Sequence, residues 1–322
     1  DIIGLSDLGM KSFPRTSTTT EVPILYGKYL SGFDKNAFYL DLIQDEKQKA
    51  KEIKTIEQKV KDFNILYTNA DSLMYKRHEL LVRLDDLNFK PHVIAITEVK
   101  NKKKNNISVA EFNMKGYCMY TNDFQNCSRG VLIYVQNTIK SKQLYYEKPL
   151  QEVVTVEIEG QKDTLTICNI YRSPNSPEDN NKCLNNFIEN LATKTSGKLL
   201  VVGDFNYNDI IWENGTAKSA ISNNFIEVLR EHFLIQNVVS PTRGRGTDEP
   251  HLLDLVITND SFIEHVEHMA PLGKSDHCIL NIKCNCKVQL EQFKPRLDFE
   301  KGNYEAFKNY LAVDWVTTLE TH

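Results

Sequence analysis

Eight short runs rich in Val, Ile, Leu and Tyr recur between residues 63 and 284, and they set the strongest limit on the fold. In chain order they are FNILYT, HVIAIT, GVLIYV, VVTVEI, TLTICNIY, LLVVG, DLVIT and CILNIK. Runs of this length and composition predict strands. Because some are continuously apolar and others alternate with polar residues, we expect mixed sheets with helices on their outer faces, an α/β (α+β) fold.

Three segments between these runs predict the covering helices. Residues 72–87 and 219–233 carry apolar residues at intervals of three and four, which is the spacing of one helix face. Residues 177–191 open on a helix-start signal. Helices placed between strands in this way favour a layered fold in which each helix covers a sheet.

The pattern changes on both sides of this region. Residues 44–63 form an amphipathic helical pattern with Lys and Glu between the apolar positions, and one more helical stripe lies at 304–311. The predicted organisation is therefore a linker with an amphipathic helix at 1–62, a central domain at 63–286 and a connector at 287–322.

Charge and cysteine usage limit the class of protein. The net charge of −4 excludes a global positive field that would draw the whole chain onto nucleic acid. The seven cysteines are odd in number and scattered, which predicts free thiols in a reducing intracellular compartment. No run approaches the roughly 18 apolar residues of a membrane span, so we expect no membrane partner.

Acidic residues border the predicted strands with unusual regularity. They are Asp71, Glu98, Asp204, Asp254 and Asp276. Several carboxylates beside an apolar core would repel one another unless a cation or a proton network held them. Oxygen ligands in this number suit Mg²⁺, with Mn²⁺ as a substitute, so the acids predict a divalent metal site.

Polar partners accompany two of these acids at a fixed offset. Asn69 precedes Asp71 by two residues, and Asn206 follows Asp204 by two. Residues two apart in a strand point to the same side, which predicts that each amide faces the same way as its acid. His277 directly follows the acid at position 276.

Each acid also has a simpler interpretation. Asp71 could cap the helix after it, and Asp204 could belong to a turn that follows a glycine. Glu98 could be a surface acid facing the lysines of KNKKK, and Asp254 could accept a bond from a backbone donor. A single histidine such as His277 is more often structural than catalytic.

Six motifs in a fixed order resemble a known group of enzymes. They are YTNADSL, AITEVK, NIYRSPN, VVGDFN, LLDLVIT and KSDHC, and together they span about Phe63 to Cys284. They resemble the endonuclease/exonuclease/phosphatase superfamily, specifically the apurinic-like endonuclease domain of LINE-type, non-LTR retrotransposons. TNADSL and SPTRGRGTDEPHLLDLVIT favour the retrotransposon branch over cellular repair enzymes, and NYEAFKNYLAVDW looks like a connector to a reverse transcriptase.

The resemblance implies a DNase I-like, four-layer αββα sandwich of two mixed β-sheets flanked by helices. It also implies a Mg²⁺-dependent endonuclease that nicks DNA and leaves a 3′-hydroxyl to prime reverse transcription. The partners would be DNA and, through a reverse transcriptase attached in the parent chain, the element's RNA. Synthesis would be cytoplasmic and the site of action nuclear.

The resemblance also implies roles for individual residues. Glu98, with Asp71, would hold the metal ion. Asp204 would orient and deprotonate the attacking water, steadied by Asn206. The remaining implied roles are phosphate contact by Tyr171 and Asn69, phosphate positioning by Asn175, donation to a phosphate oxygen by His277, orientation of that histidine by Asp254, and support of the metal or the water network by Asp276.

A glycine-flanked loop is the candidate DNA contact outside the motifs. The sequence TRGRG presents Arg243, which we expect to approach the DNA backbone or a groove. Two other functions stay open on the sequence alone. One is an abasic-site repair endonuclease, and the other is a catalytically inactive module that binds nucleic acid or a protein.

Overall fold

The computed structural model describes residues 63–101, 108–146, 150–244, 246–247 and 249–288. The linker at 1–62, the helical stripe at 304–311 and nearly all of the connector at 287–322 lie outside these residues. The helix predicted at 44–63 also lies outside them, except for Phe63, which begins the first strand.

The described residues form fourteen strands, three α-helices and one 3-10 turn at Val109–Phe112. The strands are β1 (Phe63–Asn69), β2 (Val93–Thr97), β3 (Tyr117–Thr121), β4 (Val131–Gln136), β5 (Ser141–Leu144), β6 (Val153–Glu159), β7 (Thr164–Tyr171), β8 (Lys198–Asp204), β9 (Ile210–Ile211), β10 (Thr216–Ala217), β11 (Ile235–Gln236), β12 (Asp254–Thr258), β13 (Ile263–Met269) and β14 (Ile279–Cys284). The helices are α1 (Leu73–Asp86), α2 (Glu178–Lys194) and α3 (Ala220–Glu231).

Two six-stranded mixed sheets make up the framework. The first has the order β13-β14-β1-β2-β4-β3, and the second has the order β11-β12-β8-β7-β6-β5. Each sheet has one parallel pair at its centre, β1 with β2 and β7 with β8, and the remaining pairs are antiparallel. The sheets therefore share one plan, with two parallel strands that end at the same edge.

Three apolar clusters show the layers. The central cluster joins side chains of both sheets, for example Ile65 of β1 and Val202 of β8. A second cluster packs Leu80 of α1 on the outer face of the first sheet, and a third packs Phe187 of α2 and Phe225 of α3 on the second. The predicted four-layer αββα sandwich of the DNase I type is confirmed.

All eight apolar runs that predicted strands are strands in the structure. The three longer strands that the sequence did not signal, β3, β5 and β13, are edge strands. In β13 (IEHVEHM), three of the seven residues are exposed and the others are only half-buried. An edge strand covered on few sides needs few apolar residues, so it leaves a weak signal in the sequence.

Gly203 allows the parallel pair of the second sheet to approach closely. It lies opposite Ile170 in the register of β7 and β8. A Cβ atom at this position would lie 2.0 Å from the carbonyl oxygen of Ile170. The glycine therefore fixes how Tyr171 and Asp204, the next pair in the register, lie side by side.

All seven cysteines are free thiols. Among the described residues, no helix combines the length and apolar character needed to cross a bilayer.

Candidate active site

The strand topology brings separate segments to one end of the sandwich. The parallel strands β1 and β2 end at the same edge; Glu98 directly follows β2, and Asp71 lies two residues after the end of β1. In the second sheet, Tyr171 ends β7 beside Asp204, and Asp254 begins the antiparallel strand β12 opposite Asp204. The two sheets meet at this end, because the side-chain amide of Asn69 donates to Asp204 Oδ2 over 2.8 Å.

A buried histidine and a buried aspartate form the centre of the site. The Nδ1 atom of His277 lies 2.7 Å from Asp254 Oδ2, and the hydroxyl of Tyr67 donates to Asp254 Oδ1 over 2.8 Å. Each oxygen of this carboxylate therefore has a partner. Three potential metal-ligand atoms, one each from Asp204, Asp254 and His277, lie within 4.8 Å of one another. The structure thus joins three residues that are far apart in the sequence.

Asp204 is a buried acid that is easily protonated. Its Oδ1 accepts a bond from the backbone N–H of Asn206 at 3.2 Å, and its Oδ2 accepts from Asn69. Burial and the nearby charge of Asp254 raise the pKa of Asp204 to about 7, although His277 and the two asparagines oppose the rise. A carboxylate with a pKa near neutrality is suited to accept and release a proton.

His277 carries the opposite perturbation. Burial alone would lower the pKa of this imidazole, but the charge and hydrogen bond of Asp254 outweigh burial, with help from Asp204 and Asp276. The result is a pKa of about 9 for His277. Its Nδ1 is committed to Asp254, so its Nε2 is the atom left to donate to a substrate.

Tyr171 supplies a neutral hydroxyl beside Asp204. Its ring is buried, and burial together with the charge of Asp204 raises the pKa of Tyr171 to about 12. The phenol therefore stays protonated at neutral pH and can donate a hydrogen bond.

Glu98 and Asp71 form a second acidic pair at the end of the first sheet. Both contact Nη2 of Arg129, which lies 3.0 Å from Asp71 Oδ1 and also pairs with Glu98 Oε2. The structure therefore places these two carboxylates around one cation, with hard oxygen donors converging on one point. This donor set fits a small divalent cation.

The backbone at these positions is unusual. Asp71, Glu98 and Asn206 have φ angles of 38°, 53° and 51°. This is the left-handed backbone conformation, which residues other than glycine rarely adopt. Such residues cost about 1–3 kcal/mol each and cluster at functional sites. The strand-period prediction is wrong here, because β1 ends at Asn69 and β8 ends at Asp204, so alternation does not extend to positions 71 and 206.

The turned backbone gives the two asparagines local bonds instead. Asn69 Oδ1 accepts from the backbone N–H of Asp71 at 3.0 Å, and the side-chain amide of Asn206 donates to the carbonyl of Arg172 over 2.8 Å. Asn69 thereby links the loop that carries Asp71 to Asp204, and Asn206 links the end of β8 to the end of β7.

Three predicted residues lie at the margin of the centre. Asp276 Oδ2 accepts from Arg243 Nε over 2.8 Å, and Asp276 Oδ1 lies 3.8 Å from His277 Nε2. Arg243 therefore sits next to the site, paired with an acid. Asn175 lies in the exposed turn between β7 and α2, and its side chain makes no hydrogen bond to any described residue.

The structure also decides between interpretations that the sequence left open. The N-cap of α1 is Ser72, and no side chain caps this helix, so Asp71 is not its cap. The side chain of Glu98 is only 14% exposed and pairs with Arg129, so it is not a solvated surface acid. The side chain of Asp254 accepts from side chains rather than from a backbone donor.

Sequence reasoning missed three residues that shape the site. Tyr67 looks like a core residue of an apolar strand, and nothing in its pattern distinguishes the hydroxyl that reaches Asp254. Arg129 lies outside the six motifs, as does Glu152, whose carboxylate accepts from the backbone N–H groups of Arg129 and Gly130. The one available signal for Arg129 is a basic residue directly before the apolar run GVLIYV, where the chain enters a buried strand.

The described residues form a DNase I-like fold, and one end of the sandwich carries a buried cluster of two acids and a histidine. Residues 165–281 match the family model described as endonuclease-reverse transcriptase. Over these residues the predicted resemblance is confirmed by the family match. No curated protein matches the sequence significantly.

Solved structures share the fold at low sequence identity. The endonuclease domain of TRAS1, a telomere-specific non-LTR retrotransposon, matches with a TM-score of 0.55 at 17% identity, covering 69% of this chain and 98% of that chain. The 3′ phosphatase NExo from Neisseria, bound to a product DNA hairpin, matches with a TM-score of 0.54 at 16% identity, covering 69% and 99%. The AP endonuclease LMAP from Leishmania major matches with a TM-score of 0.53 at 13% identity, covering 70% and 88%.

Proposed function

We propose that this domain is a Mg²⁺-dependent endonuclease of a LINE-type retrotransposon that nicks target DNA by hydrolysing one phosphodiester bond. The nick leaves a 3′-hydroxyl, from which a reverse transcriptase attached in the parent chain copies the element's RNA. The observation that carries this proposal is the buried cluster of Asp204, Asp254 and His277, with its ligand atoms within 4.8 Å of one another. The match of residues 165–281 to an endonuclease-reverse transcriptase family supports the retrotransposon assignment.

The paired perturbations of Asp204 and His277 divide the proton chemistry between them. With a pKa of about 7, Asp204 takes a proton from the attacking water. With a pKa of about 9, His277 stays protonated and donates from Nε2 to a non-bridging phosphate oxygen. Asp254 holds the imidazole in place, so the donor is fixed before the substrate arrives.

The neighbouring residues position the scissile phosphate. Tyr171 and Asn69 lie beside Asp204 and offer neutral hydrogen-bond donors to the phosphate oxygens. Asn206 stabilises the backbone next to Asp204, the general base, and Asn175 helps to position the phosphate. Asp276 acts on the water network next to His277 while it pairs with Arg243, the candidate contact for the DNA backbone.

Glu98 and Asp71 are the residues that would hold the divalent ion. A bound Mg²⁺, or Mn²⁺ in its place, supplies a charge sink for the leaving oxygen. The positive charge of the bound ion would also offset the negative charge of the site, so that a chain with a net negative charge can bind the DNA backbone. Because the proposed substrate is chromosomal DNA, we place the site of action in the nucleus.

The test is a nicking assay on supercoiled plasmid with and without Mg²⁺, followed by end-labelling of the cut strand. We expect ion-dependent conversion to open circles whose cut ends carry a 3′-hydroxyl. Asp204→Asn and His277→Ala should each lower the nicking rate by at least about a hundredfold, and circular dichroism checks that both variants are folded. Equal nicking by these variants, or ends that carry a 3′-phosphate, would refute the assignment.

The similarity to an AP endonuclease fold motivates a second candidate, an abasic-site repair enzyme. Matched duplexes with and without one abasic site separate the two functions. Comparable cutting of both duplexes supports the retrotransposon endonuclease. Strong preference for the lesion supports the repair enzyme instead.

A further inference from the structure

Arg129 occupies the point on which the two candidate metal-binding carboxylates converge. Its Nη2 atom contacts both Asp71 and Glu98. The side chain is 8% exposed, yet its buried Nε has no hydrogen-bond partner among the described residues. Buried guanidinium donors are normally all paired. The Arg129 guanidinium instead contacts the two acids and leaves one of its donors without a partner among the described residues.

Glu152 holds the backbone that carries Arg129. Glu152 Oε1 accepts from the backbone N–H of Arg129, and Glu152 Oε2 accepts from that of Gly130, both over 2.8 Å. The carbonyl of Arg129 accepts from the backbone N–H of Lys100 at 2.8 Å, which ties this loop to the segment that follows Glu98. The guanidinium can therefore leave the acids by side-chain rotation while the loop stays in place.

We propose that Arg129 is a built-in counter-cation that competes with the divalent ion for Glu98 and Asp71. This inference rests on the metal-dependent function proposed above. Mg²⁺ binds carboxylate oxygens at about 2.0–2.1 Å with near-octahedral geometry, which leaves little room for a guanidinium at the same oxygens. The arginine neutralises two close carboxylates that would otherwise repel each other, and it sets the ion concentration at which the site loads.

Lys76 provides a matched control for general charge effects. Its Nζ lies 3.8 Å from Asp71 Oδ2 and donates to the carbonyls of Ala70 and Asp71 over 2.7 and 3.0 Å. It carries the same charge near the same acid, but in the described part of the chain it forms no ion pair with Glu98. Loss of Lys76 therefore removes a nearby charge without freeing the carboxylate pair.

The experiment is calorimetric titration of Mn²⁺ and of Mg²⁺ into the wild-type chain and four variants. Two of these, Arg129→Gln and Arg129→Met, replace the guanidinium with shorter, uncharged side chains, and circular dichroism checks that each is folded. We expect both to bind the ion at least about tenfold more tightly, since a charge-assisted bond no longer has to be broken. Lys76→Gln should change the affinity by less than about threefold, as expected for a long pair to the exposed carboxylate of Asp71, and Glu98→Gln should lose binding.

Thermal unfolding gives a second readout that does not depend on activity. Without the ion, Arg129→Gln should melt at a lower temperature than the wild type because the paired acids are left uncompensated. At saturating ion the difference should shrink, since the wild type has then also given up the pair.

The outcomes separate this inference from the proposed function. If the wild type binds the ion and neither Arg129 variant binds it more tightly, the proposed competition is refuted while the proposed function stands. Equal tightening in Lys76→Gln, or full binding in Glu98→Gln, also overturns it. Absence of ion binding in the wild type and every variant overturns both, whereas binding that appears only in the Arg129 variants supports the competition strongly.

Discussion

Asp254→Asn should separate the electrostatic role of this residue from its packing role, because it removes the charge and keeps the shape. In the wild type, His277 has a pKa of about 9, compared with 6.5 for an unperturbed imidazole. Asp254 provides the largest contribution that raises it, while burial acts in the opposite direction. Without this charge we expect the pKa of His277 to fall to about 6.5 or below.

The two pKa values determine which fraction of His277 is in the protonated form that donates to the phosphate. At pH 8, about 90% of His277 is protonated when its pKa is about 9, compared with about 3% when it is about 6.5. The concentration of the donor form therefore falls about 30-fold. The pKa of Asp204 should fall too, since Asp254 is one cause of its rise to about 7. Both limbs of the pH profile should move to lower pH.

Single-turnover nicking of plasmid DNA between pH 5.5 and 9.5 measures this profile, and an NMR titration of the His277 ring measures its pKa directly. The wild type should show a bell between about pH 7 and pH 9. Asp254→Asn should peak at more acidic pH. Tyr67→Phe removes a hydrogen bond to Asp254 but keeps the charge, so it should leave the pKa of His277 high. A midpoint for His277 in Asp254→Asn within about half a unit of wild type would refute the reasoning.

Four further predictions address the site and its framework. Asp204→Asn should lower the single-turnover nicking rate by about 10²–10⁴-fold, the range for loss of a general base, and a rate near wild type would show that another group takes the proton. Asp204 has a raised pKa, so its stabilising contribution is fully present below pH 3.8 and is lost as the pH rises through about 7; urea unfolding should show a decline of up to about 1.4 kcal/mol per pH unit across that window, absent in Asp204→Asn. Gly203→Ala places a Cβ against the carbonyl oxygen of Ile170 and should lower the free energy of unfolding by at least about 2 kcal/mol, whereas Gly244→Ala, which meets ordinary contacts at Pro250, should change it little. Tyr171→Phe removes one donor to the phosphate and should slow nicking by about tenfold to a hundredfold at unchanged stability, and an unaltered rate would remove Tyr171 from the site.

The sequence determined the fold class and the types of residue that meet at the candidate site. Apolar patterning located the eight inner strands and two of the helices, and a helix-start signal located the third. It failed for β3, β5 and β13, since edge strands carry little of the core and therefore little of its pattern. The acids at the ends of apolar runs could be recognised as candidate site residues because desolvating a carboxylate beside an apolar core costs free energy unless a partner stabilises it.

Tertiary structure alone decided how those acids are used. The pairing of Asp254 with His277 joins residues 23 apart, and that of Asn69 with Asp204 joins residues 135 apart, so neither can be obtained from local spacing. The left-handed turns at Asp71 and Asn206 replaced the strand geometry that alternation implied. Arg129 was invisible as a site residue because its role depends on a loop that meets Glu98 only in the folded sheet. Local sequence specifies backbone shape and burial, whereas electrostatic partnerships depend on which strand ends the topology places together.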